Sequence, residues 1–158
     1  MEVMIVVMLF AIFMGAVYET VIVGLKAANS ADEREDIRTQ MARAMDQMTR
    51  EMVAAYNVDN AEDQRFQFDA RDINGDGSND DNINYVVTSG DLLRGSLLLV
   101  KDLSSLDFDY LDSSGTAMTT PVAGGSRNNV RVVQITMTAV KDQETISLTG
   151  AAKLRNMS

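Results

Sequence analysis

The feature that most constrains this chain is an apolar run at its beginning. No charged residue occurs between Val3 and Tyr18, and only Glu19 and Thr20 interrupt the run before Lys26. As a helix, this run would be ~34 Å long, which is enough to cross the ~30 Å hydrocarbon layer of a membrane. The rest of the chain is an ordinary mixture of polar and apolar residues. The sequence therefore predicts a hydrophobic transmembrane or filament-core helix over residues 1–25.

Composition excludes several classes of function. The chain has no cysteine and no histidine, so disulfide frameworks, thiolate zinc sites, cysteine nucleophiles and Ser-His-Asp triads are ruled out. We therefore expect no enzymatic activity. The 14 basic and 23 acidic residues give a net charge of −9. Because that charge repels phosphates, we expect no contact with nucleic acid.

The flanks of the apolar run do not match a cleaved secretory signal. Such a signal carries Lys or Arg before its apolar core, whereas here Glu2 stands at the start. The basic residues that follow the run, Lys26 and Arg34, would place the soluble part in the cytoplasm by the positive-inside rule. A basic leader removed during maturation would reverse this orientation. We therefore expect such a leader and an outward-facing soluble part.

Glu2 is a candidate functional residue. A carboxylate dragged to the bilayer centre costs about 2.5–3.5 kcal/mol, so carboxylates in apolar helices usually pair with a specific partner. The alternative is a glutamate that lies among the lipid headgroups.

The first twelve residues, MEVMIVVMLFAI, resemble the N-terminal signature of type IV pilins and pseudopilins. Glu2 matches the glutamate of that signature. The family has several residues before this glutamate, whereas here only Met1 precedes it, so the chain begins late or has a variant N-terminus. Three later segments look like the minor pilin W and J-type pseudopilin branch. They are Asp36–Met52, Leu106–Asp112 and Leu154–Asn156.

The resemblance implies an α+β pilin fold, in which a long N-terminal helix packs on a C-terminal antiparallel β-sheet head. It also implies a structural subunit that is anchored in the inner membrane with a periplasmic head and then joins a surface filament. The implied partners are copies of itself, other pilins, the inner-membrane assembly platform and, before assembly, lipid. Glu2 would then pair with the terminal amine of a neighbouring subunit.

Residues 32–56 have the periodicity of an amphipathic helix. The apolar positions are Ile37, Met41, Ala44, Met45, Met48, Met52, Ala55 and Tyr56, while Glu35, Arg38, Arg43, Asp46 and Arg50 fall on other faces. We expect the apolar face to pack on the sheet of the head. The predicted organisation is a hydrophobic helix over 1–25, its amphipathic continuation over 26–56 and a β-rich head over 57–158.

Two features bear on the continuity of this helix. Residues 30–33 fit a capping box, which would start a second helix at Ser30. Gly15 and Gly24 each lower helix propensity by ~1 kcal/mol relative to alanine, so the helix could melt locally and stretch between them during assembly. We favour one long helix from residue 3 to 56.

The head reads as short strands separated by turns. Strands are predicted at Arg65–Ala70, Asn82–Thr88, Leu97–Val100, Leu106–Leu111, Val130–Val140 and Ile146–Leu154. The last two are expected to form a hairpin. We expect a single antiparallel sheet with its apolar face covered by residues 37–56.

An acidic loop is the one segment with the chemistry of a metal site. Residues 72–80 match the beginning of a D-x-N-x-D-G calcium loop, although Ile83 stands where a bidentate glutamate would complete it. The predicted calcium ligands are Asp72, Asn74, Asp76, Ser78 and Asp80. The alternative is a solvated turn that contains no metal, because Asp, Asn and Gly favour such turns by themselves.

Three functions remain open. The first is a subunit of a type IV pilus-like filament for adhesion, motility or a related surface function. The second is a minor pseudopilin of a type II secretion system. The third is a membrane-anchored calcium-binding domain that never polymerises.

Overall fold

One long helix begins the chain. The computed structural model describes residues 2–141 and 144–155, and for Glu2 the backbone only. Helix α1 comprises the 52 residues Glu2–Val53 and is unbroken at Gly15, Gly24 and Ser30. The capping-box sequence at Ser30 therefore does not start a new helix, and the predicted continuity is confirmed.

Within the residues that the structure describes, eight strands follow the helix, which gives the predicted α+β class. They are β1 (Ala55–Glu62), β2 (Arg65–Ala70), β3 (Asp80–Thr88), β4 (Asp91–Arg94), β5 (Leu97–Val100), β6 (Leu103–Leu111), β7 (Val132–Lys141) and β8 (Glu144–Lys153). A short 3₁₀ helix, Gly124–Asn129, precedes β7. Strands β2 and β5 have the predicted limits, whereas β1 and β4 were not predicted.

The strands form two sheets, so the prediction of a single sheet is wrong. Strands β1 to β5 form one antiparallel sheet in chain order, and β6, β7 and β8 form a second. The predicted hairpin is confirmed, because β7 and β8 pair from Val132 with Lys153 to Lys141 with Glu144. Residues 142 and 143 lie outside the described residues.

Aromatic side chains join the two sheets into one core. The ring of Phe66 on β2 lies 5.9 Å from that of Phe108 and 5.6 Å from that of Tyr110, both on β6. The Tyr110 hydroxyl donates a hydrogen bond to the Glu62 carbonyl at 2.8 Å. All three rings are buried, so the sheets stabilise each other through a shared apolar layer. The break in strand pairing between β5 and β6 therefore does not divide the core, which is continuous across both sheets.

The helix ends three residues earlier than predicted. Ala55 pairs with Ala70, and the Arg71 amide donates to the Ala54 carbonyl at 3.2 Å. These sheet hydrogen bonds use backbone groups that a longer helix would need for its own bonds. Residues 55 and 56, predicted as helical, therefore belong to β1.

The chain divides into two compact units, one ending at Asp36 and the other beginning at Ile37. In the second unit, the last turns of α1 pack on the sheets. The predicted helical positions of the apolar face are buried, namely Ile37, Met41, Ala44, Met45, Met48 and Met52. The charged positions Glu35, Arg38, Arg43, Asp46 and Arg50 are exposed, as the periodicity predicts.

Candidate membrane or filament interface

The first part of α1 exposes almost all of its large apolar side chains. Their exposed fractions range from 42% at Val17 to 80% at Met4. An 18-residue window here has a mean hydropathy of 2.3 and none of it is buried. The helix is therefore long and apolar enough to cross a membrane.

This apolar surface surrounds the helix instead of forming a stripe. A helix on a soluble domain buries one apolar face, whereas a helix that is apolar on all sides needs lipid or other helices around it. The exposed residues follow one another without a polar face: Val3, Met4, Ile5, Val6, Val7, Met8, Leu9 and Phe10. Water disfavours such a surface, so the segment indicates membrane anchoring or export.

One polar side chain in the segment is satisfied locally. The Thr20 hydroxyl donates to the Ala16 carbonyl, one helical turn earlier, at 2.9 Å. In an apolar environment this bond removes the cost of an unpaired hydroxyl. Thr20 is therefore compatible with burial among lipids or helices.

The predicted assembly residues lie in this segment. The side chain of Glu2 lies outside the described residues, so its pairing stays a prediction. A Cβ at Gly15 or Gly24 would meet no atom within 4 Å. Packing within the described chain therefore does not require glycine at either position. The predicted role of the two glycines in local melting and stretching of the helix stays a prediction.

Four of the predicted calcium ligands, Asp72, Asn74, Asp76 and Ser78, lie in the exposed loop between β2 and β3, and the fifth, Asp80, is the first residue of β3. Their oxygens accept hydrogen bonds mainly from the loop itself. Asp72 Oδ1 accepts from the Gly75 amide at 2.7 Å, and Asp80 Oδ2 accepts from the Ile73 amide at 2.7 Å. Asp76 Oδ1 accepts from the Ser78 amide at 2.8 Å and from the Ser78 hydroxyl.

These bonds describe a turn stabilised by its own side chains. The hydroxyl of Ser78, its amide and the side chain of Asn74 lower the pKa of Asp76, which keeps this carboxylate ionised. Within residues 2–141 and 144–155, no group of three or more Asp, Glu, His or Cys residues is arranged to hold a metal ion. Calcium binding stays a prediction, and it would require the carboxylates to exchange backbone donors for the cation.

A buried charged network was missed by the sequence analysis. Glu51 on α1 is only 4% exposed, and its Oε2 accepts from the Tyr85 hydroxyl at 2.6 Å and from Arg94 Nε at 2.8 Å. Its other oxygen, Oε1, accepts from Gln47 Nε2 at 3.0 Å. Burial raises the pKa of Tyr85, and the hydrogen bond that its hydroxyl donates to Glu51 raises it further. The network ties the helix to strands β3 and β4.

The signal for this network was present in the helical periodicity. Glu51 lies three residues after Met48 and seven after Ala44, which puts it on the apolar face. A charge at such a position needs a buried partner. The identity of that partner could not be read from the sequence, because Tyr85 and Arg94 are more than thirty residues away.

Comparison with known proteins adds no relative: no protein family and no curated protein matches this chain. The resemblance to pilins therefore depends on the sequence signature of the first twelve residues and on the architecture. A long N-terminal helix is apolar and exposed in its first part and packs on antiparallel sheets in its second. This architecture is pilin-like.

Proposed function

We propose that this protein is a structural subunit of a type IV pilus-like filament and polymerises through its N-terminal helix. The observation that supports the proposal is the apolar surface around residues 3–25, on the same helix whose later turns are buried in a β-rich head. A helix with both properties suits a subunit that is stored in lipid and then packed among copies of itself. The first part meets lipid or neighbouring helices, and the second part holds the head.

Assembly would exchange one apolar environment for another. Lipid tails are as apolar as a neighbouring helix, so the net hydrophobic gain is small, and packing and polar pairing decide the register. Glu2 would pair with the terminal amine of a neighbouring subunit and neutralise a charge that is costly in this environment. Gly15 and Gly24 would let the helix stretch as subunits are added.

The partners follow from this mechanism. The protein would contact lipid before assembly, the inner-membrane assembly platform during it, and other pilins and copies of itself afterwards. The head would face the periplasm first and later form the filament surface in the extracellular space. The acidic balance of the chain, a net charge of −9, suits such a solvent-exposed surface.

Substitution of Glu2 tests the proposal. In cells that express the full chain, we expect Glu2→Ala to abolish filaments seen by electron microscopy while membrane levels stay normal. Glu35→Ala is the matched control, because Glu35 is an exposed carboxylate on the same helix. Filaments of normal number with Glu2→Ala would contradict the proposed pairing.

The composition of isolated filaments separates the alternatives. Filaments made mainly of this chain would support a pilus subunit and exclude a tip-only pseudopilin. A protein that stays monomeric in the membrane in every condition would instead favour the calcium-binding anchored domain. Quantitative mass spectrometry of sheared surface material distinguishes these outcomes.

A further inference from the structure

The acidic loop, residues 72–80, contains an exposed Asn–Gly dipeptide. Asn74 and Gly75 are both exposed, and Gly75 has a φ of +79°. Glycine has no Cβ, so the backbone nitrogen of Gly75 is less sterically hindered than the nitrogen of any other residue type would be at this position. An asparagine side chain followed by such a nitrogen can cyclise, because the amide carbon and the nitrogen are separated by a short, flexible path.

Hydrogen bonds in the loop engage the attacking N–H group and both polar atoms of the side-chain amide that it would attack. The attacking group, the Gly75 N–H, donates to Asp72 Oδ1 at 2.7 Å. The oxygen of the attacked amide, Asn74 Oδ1, accepts from the Asp76 N–H at 2.9 Å. The nitrogen that would leave, Asn74 Nδ2, donates to Asp76 Oδ2 at 3.1 Å and to Asp80 Oδ1 at 3.3 Å.

Each contact has a chemical counterpart in acyl transfer. The Asp72 carboxylate is a base that touches the proton of the nucleophile. The Asp76 N–H is a donor to the oxygen on which negative charge develops. These groups belong to one short segment, residues 72–80, so the reaction requires no partner protein and no cofactor.

We propose that Asn74 is a self-modification site, at which Gly75 displaces the side-chain amide with Asp72 as the base. The Gly75 nitrogen forms a bond to Asn74 Cγ while the Asp72 carboxylate takes its proton. The Cγ–Nδ2 bond then breaks, and Nδ2 takes that proton and leaves as ammonia. Water opens the resulting succinimide at either carbonyl, which leaves aspartate or isoaspartate at position 74, and no atom changes its oxidation state.

The modification would change the loop in two ways. Position 74 would gain a negative charge close to Asp76 and Asp80, the residues to which the Asn74 amide now donates. It would also lose both donated hydrogen bonds, because a carboxylate is only an acceptor. The converted loop would therefore repel itself until it loosens or attracts a cation.

The test is a time course on the full chain in detergent micelles, incubated in neutral buffer. Peptide mapping by mass spectrometry measures the gain of about 1 Da that accompanies conversion of an amide to an acid. We expect position 74 to convert faster than any other asparagine and to yield isoaspartate. Two exposed asparagines followed by larger residues, Asn79 and Asn128, are the internal references.

The role of Asp72 is tested with two variants of the same loop. Asp72→Asn keeps the shape of the side chain but removes the base, and we expect conversion to slow about tenfold. That is less than the ~10²–10⁴-fold of general bases in enzymes, because this loop is exposed to water. Ser78→Ala is the matched control, since Ser78 bonds to Asp76 and not to Asn74.

Two outcomes would overturn the proposal. The first is conversion of Asn74 no faster than that of Asn79 and Asn128. The second is an unchanged rate in Asp72→Asn, which would mean that Asp72 is not the base, or a faster rate, which would mean that the bond from Gly75 to Asp72 protects the amide. An unchanged rate in Ser78→Ala together with a slower rate in Asp72→Asn supports it.

Discussion

The Tyr85 hydroxyl donates a 2.6 Å hydrogen bond to the carboxylate of Glu51, across thirty-four positions of sequence. Arg94 adds an ion pair to the same oxygen at 2.8 Å. The carboxylate belongs to α1, and its two partners belong to neighbouring strands of the five-stranded sheet. The pair Glu51–Tyr85 therefore fixes the rotation of the helix on the sheet, which methionine packing alone leaves adaptable.

Glu51→Ala should destabilise the head by about 2–3 kcal/mol. Removing one partner of a buried ion pair leaves the charge of the other partner without compensation, which usually costs ~3–5 kcal/mol. The cost here should be lower, because Arg94 is partly exposed and water can solvate its charge. The measurement is the free energy of unfolding of the full chain in detergent. Arg50→Ala is the control, since its ion pair with Asp46 is exposed and should contribute less than ~0.5 kcal/mol. Equal losses in the two variants would contradict the role of Glu51.

Gly150→Ala should destabilise the head by about 1–3 kcal/mol, the usual cost of overpacking. A Cβ at Gly150 on β8 would lie 2.5 Å from the sulfur of Met45 and 3.1 Å from its Cγ, so the helix side chain must move. Met45→Ala should rescue part of the loss in the double variant. Gly125→Ala is the matched control, because a Cβ there meets no atom within 4 Å. Additive losses in the double variant would argue against a contact between the two residues.

Stability should fall as the pH rises above about 10. Burial raises the pKa of Tyr85 and of Tyr110 in the folded state, with further contributions from Glu51 for the former and from Asp63 for the latter. The unfolded chain releases these protons near pH 10, whereas the folded chain keeps them. The stabilisation that Tyr85 and Tyr110 contribute to the folded state is thus complete below about pH 10 and is lost progressively above it.

Alkaline titration with tyrosinate absorbance and circular dichroism checks this dependence. We expect the two buried tyrosines to ionise only as the head unfolds. Tyr85→Phe should weaken the dependence on pH, because one of the two groups is removed. Ionisation of every tyrosine before any loss of structure would show the expectation to be wrong.

Calcium should raise the melting temperature of the full chain if the loop of residues 72–80 binds it. Asp76→Ala should then remove the response, because Asp76 is a predicted ligand. Asp112→Ala is the control, since Asp112 makes a similar turn with Ser114 and Thr116 outside the predicted site. A response that survives Asp76→Ala would place the cation elsewhere, and the absence of any response would favour the solvated turn.

Much of the fold was accessible from local patterns. The apolar run predicted the first part of α1, and methionines at three- and four-residue spacing predicted the face that the head buries. Alternation around Phe66 and Phe68 predicted β2 within its observed limits. These patterns depend on how often apolar side chains recur along a helix or a strand, which is decided by residues that are close together in the sequence. The candidate membrane or filament interface was therefore visible in the sequence as a continuous segment.

Other features depend on pairing between distant residues, and only the tertiary structure decided them. Ala55 continues a helical pattern, yet its pairing with Ala70 makes it the start of β1. Two sheets form instead of one because β5 pairs with β4 alone while β6 pairs with β7, and a local pattern does not specify a strand's partner. In the same way, the sequence placed a charge at Glu51 on the apolar face of the helix. The fold supplied Tyr85 and Arg94, which allow that charge to be buried.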